Sequence, residues 1–257
     1  MASVARIGVT PVKSLALAHP DEVSLGPAGV PGDRSFYVVD DEGKIFSARQ
    51  FGPMQTIVPS FDDVADTLSL TFPDGSVVAG PAGELADPLV TDFWGRPVRA
   101  HVLRGPWADA LSAFIGSTVR LARCDQPGDG TDVYHVTLMS RASVAELAAR
   151  GGAKGDLDSR RFRMTFELDG CAPHEEDTWA AKRVRFGEAL LRVYGQVPRC
   201  VLTTKSPSTG MKDFNTLKVI VAYRGLMADK EGIPFGMYAE VEHPGRVRVG
   251  DDVEVLG

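Results

Sequence analysis

The residue with the clearest chemical potential is Cys200, which follows a strand-like run and lies directly beside Arg199. A neighbouring cation favours the thiolate, which is the form of cysteine that attacks electrophiles and binds metals. An isolated cysteine is more often a small buried apolar residue. The choice between a reactive thiol and a structural one therefore depends on the other residues that the fold brings to Cys200.

Three further cations, Lys13, Arg34 and Arg163, follow turn or loop signals instead of lying along an exposed helix. Guanidinium groups and backbone amides hold phosphate oxygens through charge-assisted hydrogen bonds, so such positions suit an anion. Taken singly, each is also typical of a solvated surface residue, because surface charges carry little energetic weight. They form an anion site only if they converge with Arg199, and sequence spacing does not decide this.

The elements that must position these residues are mainly strands. In the first hundred residues, short alternating runs are separated by glycine, proline and aspartate. They predict strands at residues 4–12, 35–39, 67–72 and 97–103. Apolar residues at helical spacing predict two helices, at 106–115 and 142–149, with Ser140 or Ser143 as a cap of the second.

The second half of the chain is also rich in strand signals. Further alternating runs predict strands at residues 161–168, 183–193, 239–241 and 253–256. Residues 217–224 fit either a helix or a strand. Many strands and few helices predict a mainly β fold with a few helices (α+β), organised as a barrel. We place a domain boundary near residue 100, which gives domains over 1–100 and 101–257.

Composition limits the function. The chain has 257 residues and a formal net charge of -6, which argues against a nucleic-acid partner. Its three cysteines are widely spaced, and no flavin or haem motif is visible, so we expect no intrinsic iron-sulfur cluster, flavin or haem. The amino terminus lacks a signal peptide, and no run is long enough to span a membrane. These features predict a cytoplasmic protein without a membrane partner.

The remaining polar clusters favour structural roles. Residues 174–177 combine a histidine with three acids, but consecutive acids in a loop seldom converge on a metal, so we expect a solvated turn. Within the same stretch, Asp177 and nearby Trp179 are expected to brace a barrel wall. Cys124 and Cys171 are interpreted as structural, and His101 as satisfied locally without a partner.

Several motifs occur in an order that is typical of one family. The amino-terminal motifs are Pro11-Val12-Lys13-Ser14, Gly32-Asp33-Arg34 and Ser47-Ala48-Arg49-Gln50. The later motifs are Phe162-Arg163, Glu176-Asp177-Thr178-Trp179, Pro198-Arg199-Cys200-Val201-Leu202-Thr203-Thr204 and Val247-Arg248-Val249-Gly250-Asp251. In this order the chain resembles MOSC-domain proteins, the family named for the carboxy-terminal domain of molybdenum cofactor sulfurase. Within that family it is similar to the amidoxime-reducing components and their bacterial relatives.

The resemblance implies a MOSC amino-terminal β-barrel domain followed by a MOSC β-barrel domain. It implies a molybdenum-molybdopterin cofactor, whose two dithiolene sulfurs hold the metal while the Cys200 thiolate acts as a further ligand. Soft thiolate ligands suit a metal in a sulfur-rich field. The positions implied to hold the pterin and its phosphate are Lys13, Ser14, Arg34, Ser140 and Arg163, with Thr165, Arg199 and Tyr238 beside the same site. Thr165 stands where the resemblance implies an asparagine.

The function implied by the resemblance is an oxidoreductase that reduces N-hydroxylated or N-oxide compounds. Because the chain has no electron-carrying motif of its own, it would need a separate donor such as a ferredoxin or a reductase. One alternative is a sulfurtransferase that carries a persulfide on Cys200; pyridoxal phosphate is not expected in this chain, so the desulfurase would be another protein. The other alternative is a molybdopterin-binding protein without turnover.

Overall fold

A computed structural model describes residues 1–228 and 232–256 of the chain. The strands are β1 (Ala2–Ile7), β2 (Glu22–Leu25), β3 (Phe36–Asp40), β4 (Ile45–Phe46), β5 (Val58–Asp62), β6 (Thr67–Thr71), β7 (Val77–Pro81), β8 (Leu85–Phe93), β9 (Arg96–Leu103), β10 (Val119–Cys124), β11 (Val136–Ser140), β12 (Phe166–Asp169), β13 (Arg183–Phe186), β14 (Ala189–Pro198), β15 (Pro234–His243), β16 (Gly245–Arg248) and β17 (Asp252–Leu256). The helices are α1 (Trp107–Ile115), α2 (Arg141–Arg150) and α3 (Thr216–Arg224). The expectation of a mainly β fold with a few helices is confirmed.

A five-stranded antiparallel sheet, in the order β4-β3-β10-β9-β8, organises the amino-terminal half. Alternate residues of its strand β3 face two different cores, because successive side chains of a strand point to opposite faces. Phe36 and Val38 pack in one core with Trp107 of α1. Tyr37 and Val39 pack in the other core, with Phe93 of β8 and Val98 of β9. Strand β3 is therefore almost wholly buried. Strands β5, β6 and β7, which follow β4 in the chain, form a separate three-stranded sheet.

A closed seven-stranded barrel, in the order β1-β12-β11-β15-β14-β13-β17, organises the carboxy-terminal half. Its first strand, β1, comes from the start of the chain and pairs with both β12 and β17. Inward-facing apolar residues fill the barrel, including Val4, Leu138, Phe166 and Leu191, each at most 1% exposed. Because β1 closes this barrel, the beginning and the end of the chain are tied together.

Local differences from the predicted elements have identifiable causes. Residues 161–168 do not form one strand, because the 3-10 helix Ser159–Phe162 ends at Arg163, whose φ of 55° is incompatible with a strand. The strand predicted at 183–193 is a hairpin, β13 and β14, with its turn at Gly187, where φ is 52°. The segment that fitted either a helix or a strand is α3, whose Asn215 side chain accepts a hydrogen bond from the Lys218 N–H.

A segment of irregular backbone, residues 8–15, links the two halves. At one end the Gly8 N–H donates to the Thr165 carbonyl of the barrel side, at 2.9 Å. At the other end the Lys13 N–H donates to the Phe36 carbonyl of the amino-terminal sheet, at 2.7 Å. In this way the fold places Lys13 between β3 and the loop that precedes β12. None of α1, α2 and α3, within the part of the chain that the structure describes, has the length and apolar character needed to cross a bilayer.

Candidate functional site

One cavity brings together eight of the nine residues that the sequence predicts for a site. Counting its open mouth, the cavity encloses about 880 Å³. The predicted residues that line it are Lys13, Ser14, Arg34, Arg163, Thr165, Arg199, Cys200 and Tyr238. They come from loops next to β3, β12 and β14 and, for Tyr238, from β15 itself, so the fold supplies the convergence that spacing could not decide.

Ser140 is the predicted residue that the structure does not bring to the cavity. Its side chain is fully buried at the start of α2, where its Oγ accepts a hydrogen bond from the Ser143 N–H at 3.0 Å. Its own N–H donates to the Glu176 carboxylate at 3.2 Å. The expectation that Ser140 contacts a cofactor is therefore corrected, because helix capping uses its hydroxyl. The alternative that the sequence offered for Ser140, a cap of α2, describes its contacts.

Lys13 and Asp132 form an ion pair on the cavity wall. Lys13 Nζ donates to Asp132 Oδ1 at 2.5 Å and to the Gly130 carbonyl at 2.8 Å. Burial lowers the pKa of Lys13, and the charges of Arg34 and Arg163 lower it further against the opposing effect of Asp132. Burial alone would raise the pKa of Asp132, but the charge and hydrogen bond of Lys13 hold it below its ordinary value. The lowered pKa of Asp132 reflects the positive charges of Lys13, Arg34 and Arg199 around it.

Arg34 is held against its own neighbour and against the loop before β12. Its guanidinium donates to the Asp33 carboxylate and, at 3.0 Å, to the Arg163 carbonyl. Asp33 is itself buried and accepts a hydrogen bond from the Thr10 N–H at 2.7 Å. The Asp33 carboxylate therefore fixes Arg34 and offsets much of its charge.

Arg163 and Arg199 differ from Arg34 in their hydrogen-bond partners. Among the residues that the structure describes, no carboxylate lies within 4 Å of either guanidinium group. Arg163 donates to the Leu15 carbonyl at 2.7 Å, and Arg199 donates to the Phe235 and Phe162 carbonyls at 2.7 and 3.0 Å. Protein atoms surround both groups although each keeps some surface toward the cavity.

The pKa values of these two arginines reflect their surroundings. Burial, and then the charge of Arg34, lower the pKa of Arg163 to about 9. Burial lowers the pKa of Arg199 to about 10, against the opposing effects of Tyr238, Cys200 and Asp132. An enclosed cation without a counter-ion is unfavourable, and a bound anion would relieve it. The cavity is therefore suited to a ligand that carries negative charge.

Cys200 lines the same cavity just beyond the end of β14. Its carbonyl accepts hydrogen bonds from the N–H and the hydroxyl of Thr203, at 3.2 and 3.1 Å, which fixes the backbone at the start of a 3-10 helix. Cys124 and Cys171 do not line the cavity, and burial raises the pKa of each to about 12. Cys200 is thus the cysteine placed for metal or electrophile chemistry.

Thr165 and Tyr238 form a neighbouring part of the wall. The Thr165 N–H donates to the Thr137 hydroxyl at 3.0 Å, and the Thr137 N–H donates to the Thr165 hydroxyl at 3.2 Å. Tyr238 is 5% exposed, and burial raises its pKa to about 12, so its hydroxyl stays protonated at neutral pH. This part of the wall therefore presents uncharged hydroxyl groups to the same cavity as the cations.

The backbone of the cavity wall is unusual. Ser14, Arg34 and Arg163 have positive φ angles of 74°, 51° and 55° although none is glycine. Residues with side chains rarely adopt this left-handed conformation, and such strain is concentrated at functional sites. The same three positions supply cavity-lining side chains, so the strain lies where the predicted site is.

The sequence missed several residues of the wall because they belong to no recognised motif. They include Trp94, Asp132, Tyr134 and His135, while Arg49 belongs to a quoted motif but was given no role in a site. The strongest available signal was the run of turn residues before Asp132, which marks a loop between two strands.

Two predictions about other polar residues are wrong. His101 does have a partner, because its Nδ1 lies 2.8 Å from Asp125 Oδ1. The stretch from His174 to Asp177 is not a solvated turn, because Glu176 is fully buried and Asp177 binds Arg224. In residues 1–228 and 232–256, no group of three or more His, Cys, Asp or Glu side chains could hold a metal. A metal at Cys200 would therefore need ligands from a bound molecule.

Comparisons with known proteins match two domain families to successive parts of the chain. The MOSC N-terminal beta barrel domain matches residues 1–116, and the MOSC domain matches residues 125–254. Mitochondrial amidoxime-reducing component 1 of Mus musculus is 25% identical over 294 residues, which cover 99% of this chain and 82% of that protein. Mitochondrial amidoxime reducing component 2 of Rattus norvegicus is 35% identical over 284 residues, covering 98% and 82%.

A solved structure, the YUAD protein from Bacillus subtilis, aligns with 99% of this chain and 96% of its own, at 16% identity and a TM-score of 0.45. The family-model matches together span nearly the whole chain, in the order that the sequence motifs predicted. On these matches, the chain belongs to the MOSC-domain family, a family associated with the molybdenum cofactor.

Proposed function

We propose that this chain binds a molybdenum-molybdopterin cofactor in the cavity, with the Cys200 thiolate as a metal ligand, and reduces N-hydroxylated or N-oxide compounds. Relatives over nearly the full chain are named amidoxime-reducing components, which supports an oxidoreductase role. The proposal assigns the cavity as the cofactor site and its open mouth as the route for substrate.

The observation that carries the proposal is the pair of enclosed guanidinium groups beside Cys200. Among the residues that the structure describes, Arg163 and Arg199 donate only to carbonyl oxygens and a thioether, so neither guanidinium forms an ion pair there. Molybdopterin carries a phosphate and two dithiolene sulfurs, and these groups would supply the missing negative charge and the soft ligands. The residues present therefore fit the cofactor that the family implies.

Different residues of the chain would hold different parts of the cofactor. Lys13, Arg34 and Arg163 surround the region where a phosphate would be held, and Ser14 adds a hydroxyl there. Cys200 provides the thiolate, while Thr165 and Tyr238 line the adjoining wall. When bound, the cofactor supplies two-electron oxygen-atom transfer chemistry.

The overall reaction requires a co-reactant. Cleavage of the N–O bond of an N-hydroxylated compound consumes two electrons and two protons and releases water. No iron-sulfur, flavin or haem motif is visible in this sequence to provide the electrons. The proposal therefore includes a separate electron donor, a ferredoxin or a reductase.

The test uses protein made in a host that synthesises the cofactor. We compare the wild-type protein with Cys200→Ala and with the control Cys171→Ala, whose thiol lies outside the cavity. Molybdenum and pterin per chain are measured by elemental analysis and fluorescence, and reduction of benzamidoxime is measured with a reduced viologen dye. We expect Cys200→Ala to lose reduction and most of the molybdenum while it keeps the wild-type melting temperature. Cys171→Ala should keep all three properties.

The proposal fails if the wild-type protein carries neither molybdenum nor pterin, or if Cys200→Ala retains full activity. A labile sulfur adduct on Cys200 in metal-free protein would instead support the sulfurtransferase alternative. Molybdenum and pterin at one per chain without reduction of any N-hydroxylated compound would support the non-catalytic alternative.

A further inference from the structure

Trp94 occupies a backbone position that its side chain disfavours. Strands β8 and β9 are joined by a two-residue loop, Trp94-Gly95, since Phe93 pairs with Arg96. The φ angles of the two loop residues are 53° and 89°, and a type I′ turn requires positive φ at both. Asn-Gly is the favoured pair for such a turn, and a bulky residue there is an outlier. The hairpin would be more stable with a different residue at this position.

Burial does not offset this strain. Trp94 is 53% exposed, whereas Trp107 and Trp179 are 0% and 2% exposed. A tryptophan usually contributes stability by burying its large apolar surface, and Trp94 leaves about half of that surface in solvent. A residue that is both strained and exposed is a candidate for a direct role in binding.

The Trp94 ring lies on the wall of the cavity that contains Cys200. The Lys13 ammonium is 5.3 Å from the centroid of the indole ring, and the Phe93 ring packs edge-on at 5.6 Å. These contacts hold the ring in place while a large part of it remains free. On the same cavity wall, Tyr134 stacks against Tyr194 at 4.8 Å between centroids, so it too is held in a fixed orientation.

Lys13 and Trp94 differ in how deeply they are buried, which suits them to different kinds of ligand. The Lys13 side chain is 11% exposed, whereas more than half of Trp94 is open to solvent. A tightly held anionic group is expected deep among the cations, and a molecule that exchanges with solvent is expected at the mouth. The exposed indole therefore faces the path of an exchanging ligand.

We propose that Trp94 is a specificity-determining residue, whose indole ring stacks on planar, conjugated substrates as they enter the cavity. The substrate class is N-hydroxylated compounds whose N–O group is conjugated to an aromatic ring, in preference to saturated ones. Aromatic stacking on a preorganised ring selects flat molecules without requiring hydrogen bonds to particular atoms. This inference rests on the proposed function, because it assigns the substrate preference of the same site.

The test compares the wild-type holoenzyme with Trp94→Asn and Trp94→Phe. Trp94→Asn introduces the Asn-Gly pair that the turn prefers, so this variant should fold with an unchanged or higher melting temperature while it lacks the ring. Trp94→Phe keeps an aromatic surface. The substrates are benzamidoxime, which has an aromatic ring, and acetamidoxime, which has the same functional group on a methyl group.

We expect the ratio of kcat/KM for benzamidoxime to kcat/KM for acetamidoxime to fall about tenfold in Trp94→Asn, equivalent to about 1.4 kcal/mol. The change should lie mainly in KM for benzamidoxime, and Trp94→Phe should retain most of the ratio. An unchanged ratio in Trp94→Asn would overturn the proposal. So would loss of molybdenum from that variant, because the ring would then serve the cofactor.

A second readout does not depend on turnover. Trp94 is the exposed member of the three tryptophans, so ligand-dependent quenching of fluorescence reports mainly on its ring. Benzamidoxime should quench the wild-type protein and leave Trp94→Asn unaffected, and acetamidoxime should quench neither. Quenching without reduction of either compound by molybdenum-loaded protein would support stacking and refute the proposed function. Equal quenching of the wild-type protein and Trp94→Asn would refute stacking itself.

Discussion

Arg163 offers the sharpest test of the charge in the cavity, through the substitution Arg163→Gln. The guanidinium is enclosed by protein, donates to the Leu15 carbonyl, and has no carboxylate partner among the described residues. Burial, followed by the charge of Arg34, lowers its pKa from its ordinary value to about 9. The folded protein therefore holds a proton on Arg163 less tightly than the unfolded chain does. In protein without cofactor, this charge should oppose folding.

The sign of the effect follows from proton linkage. Above pH 9 the unfolded chain still binds the proton while the folded protein loses it, so stability rises with pH there. Below pH 9 both states are charged, and the full penalty is present at neutral pH. Each tenfold change in proton affinity corresponds to 1.36 kcal/mol, so the penalty is on the order of several kcal/mol. The hydrogen bond to Leu15 offsets roughly 2 kcal/mol of it.

We therefore expect Arg163→Gln to stabilise the cofactor-free protein by about 2 kcal/mol. For a chain of this size the melting temperature should rise by about 4–8 °C. Thermal unfolding at pH 7.5 measures this change, first in a buffer without multivalent anions and then with increasing inorganic phosphate. Phosphate should stabilise the wild-type protein and have a smaller effect on the variant, because ligand binding to the folded state raises its stability.

The control is Arg160→Gln. Arg160 lies three residues earlier, binds Asp158 at 2.6 Å and does not line the cavity. Its loss should change stability by less than about 1 kcal/mol and leave the response to phosphate intact. A destabilised Arg163→Gln protein whose response to phosphate equals that of wild type would refute the view that the cavity holds an uncompensated charge.

Two further predictions concern the buried polar groups next to α2. Burial, and then the charge of Arg224, lower the pKa of His174 to about 4, while Asp177 and Glu146 act in the opposite direction. The unfolded chain binds this proton near pH 6.5, so the free energy of unfolding falls as the pH drops from 6.5 to 4. Between pH 7 and 4.5, measured by urea unfolding, His174→Asn should lose about 2 kcal/mol less of this free energy than wild type does. An equal loss would contradict this cause. Burial raises the pKa of Glu176, whose Oε1 accepts hydrogen bonds from the Ser140 N–H and the Ser143 hydroxyl. Glu176→Gln should therefore leave stability at pH 7 unchanged or raise it, whereas Glu176→Ala should lower it by about 2–4 kcal/mol in the same assay. A Gln variant as unstable as the Ala variant would show that the charge of Glu176 is required.

The secondary structure was predictable where local periodicity was strong. The alternation in residues 67–72 and 97–103 corresponds to β6 and β9, and the helical spacing at 106–115 corresponds to α1. Prediction failed where one residue breaks a regular run. Arg163 and Gly187 adopt positive φ angles within segments whose apolar and polar residues otherwise alternate. Glycine often adopts such an angle, but the arginine side chain gives no indication of it. The interruptions depend on contacts that form only in the folded protein.

The candidate site was predictable as a set of residue types and not as a set of contacts. The pairing of Cys200 with Arg199 is local and visible in the chain. The contact between Lys13 and Asp132 spans 119 positions, and the contact between Arg34 and Arg163 spans 129. The exposure of Trp94 on the cavity wall likewise depends on packing.

The amino-acid sequence by itself determined the β-rich class, a capping serine for α2 and the chemical types available for a site, because each follows from interactions between residues close in the chain. The tertiary structure alone decided that β1 closes the barrel, and that Arg163 and Arg199 line the same cavity as Cys200. The physical reason is that strand order and loop convergence are set by the combined burial of distant apolar faces. That global packing free energy is not encoded in any short segment.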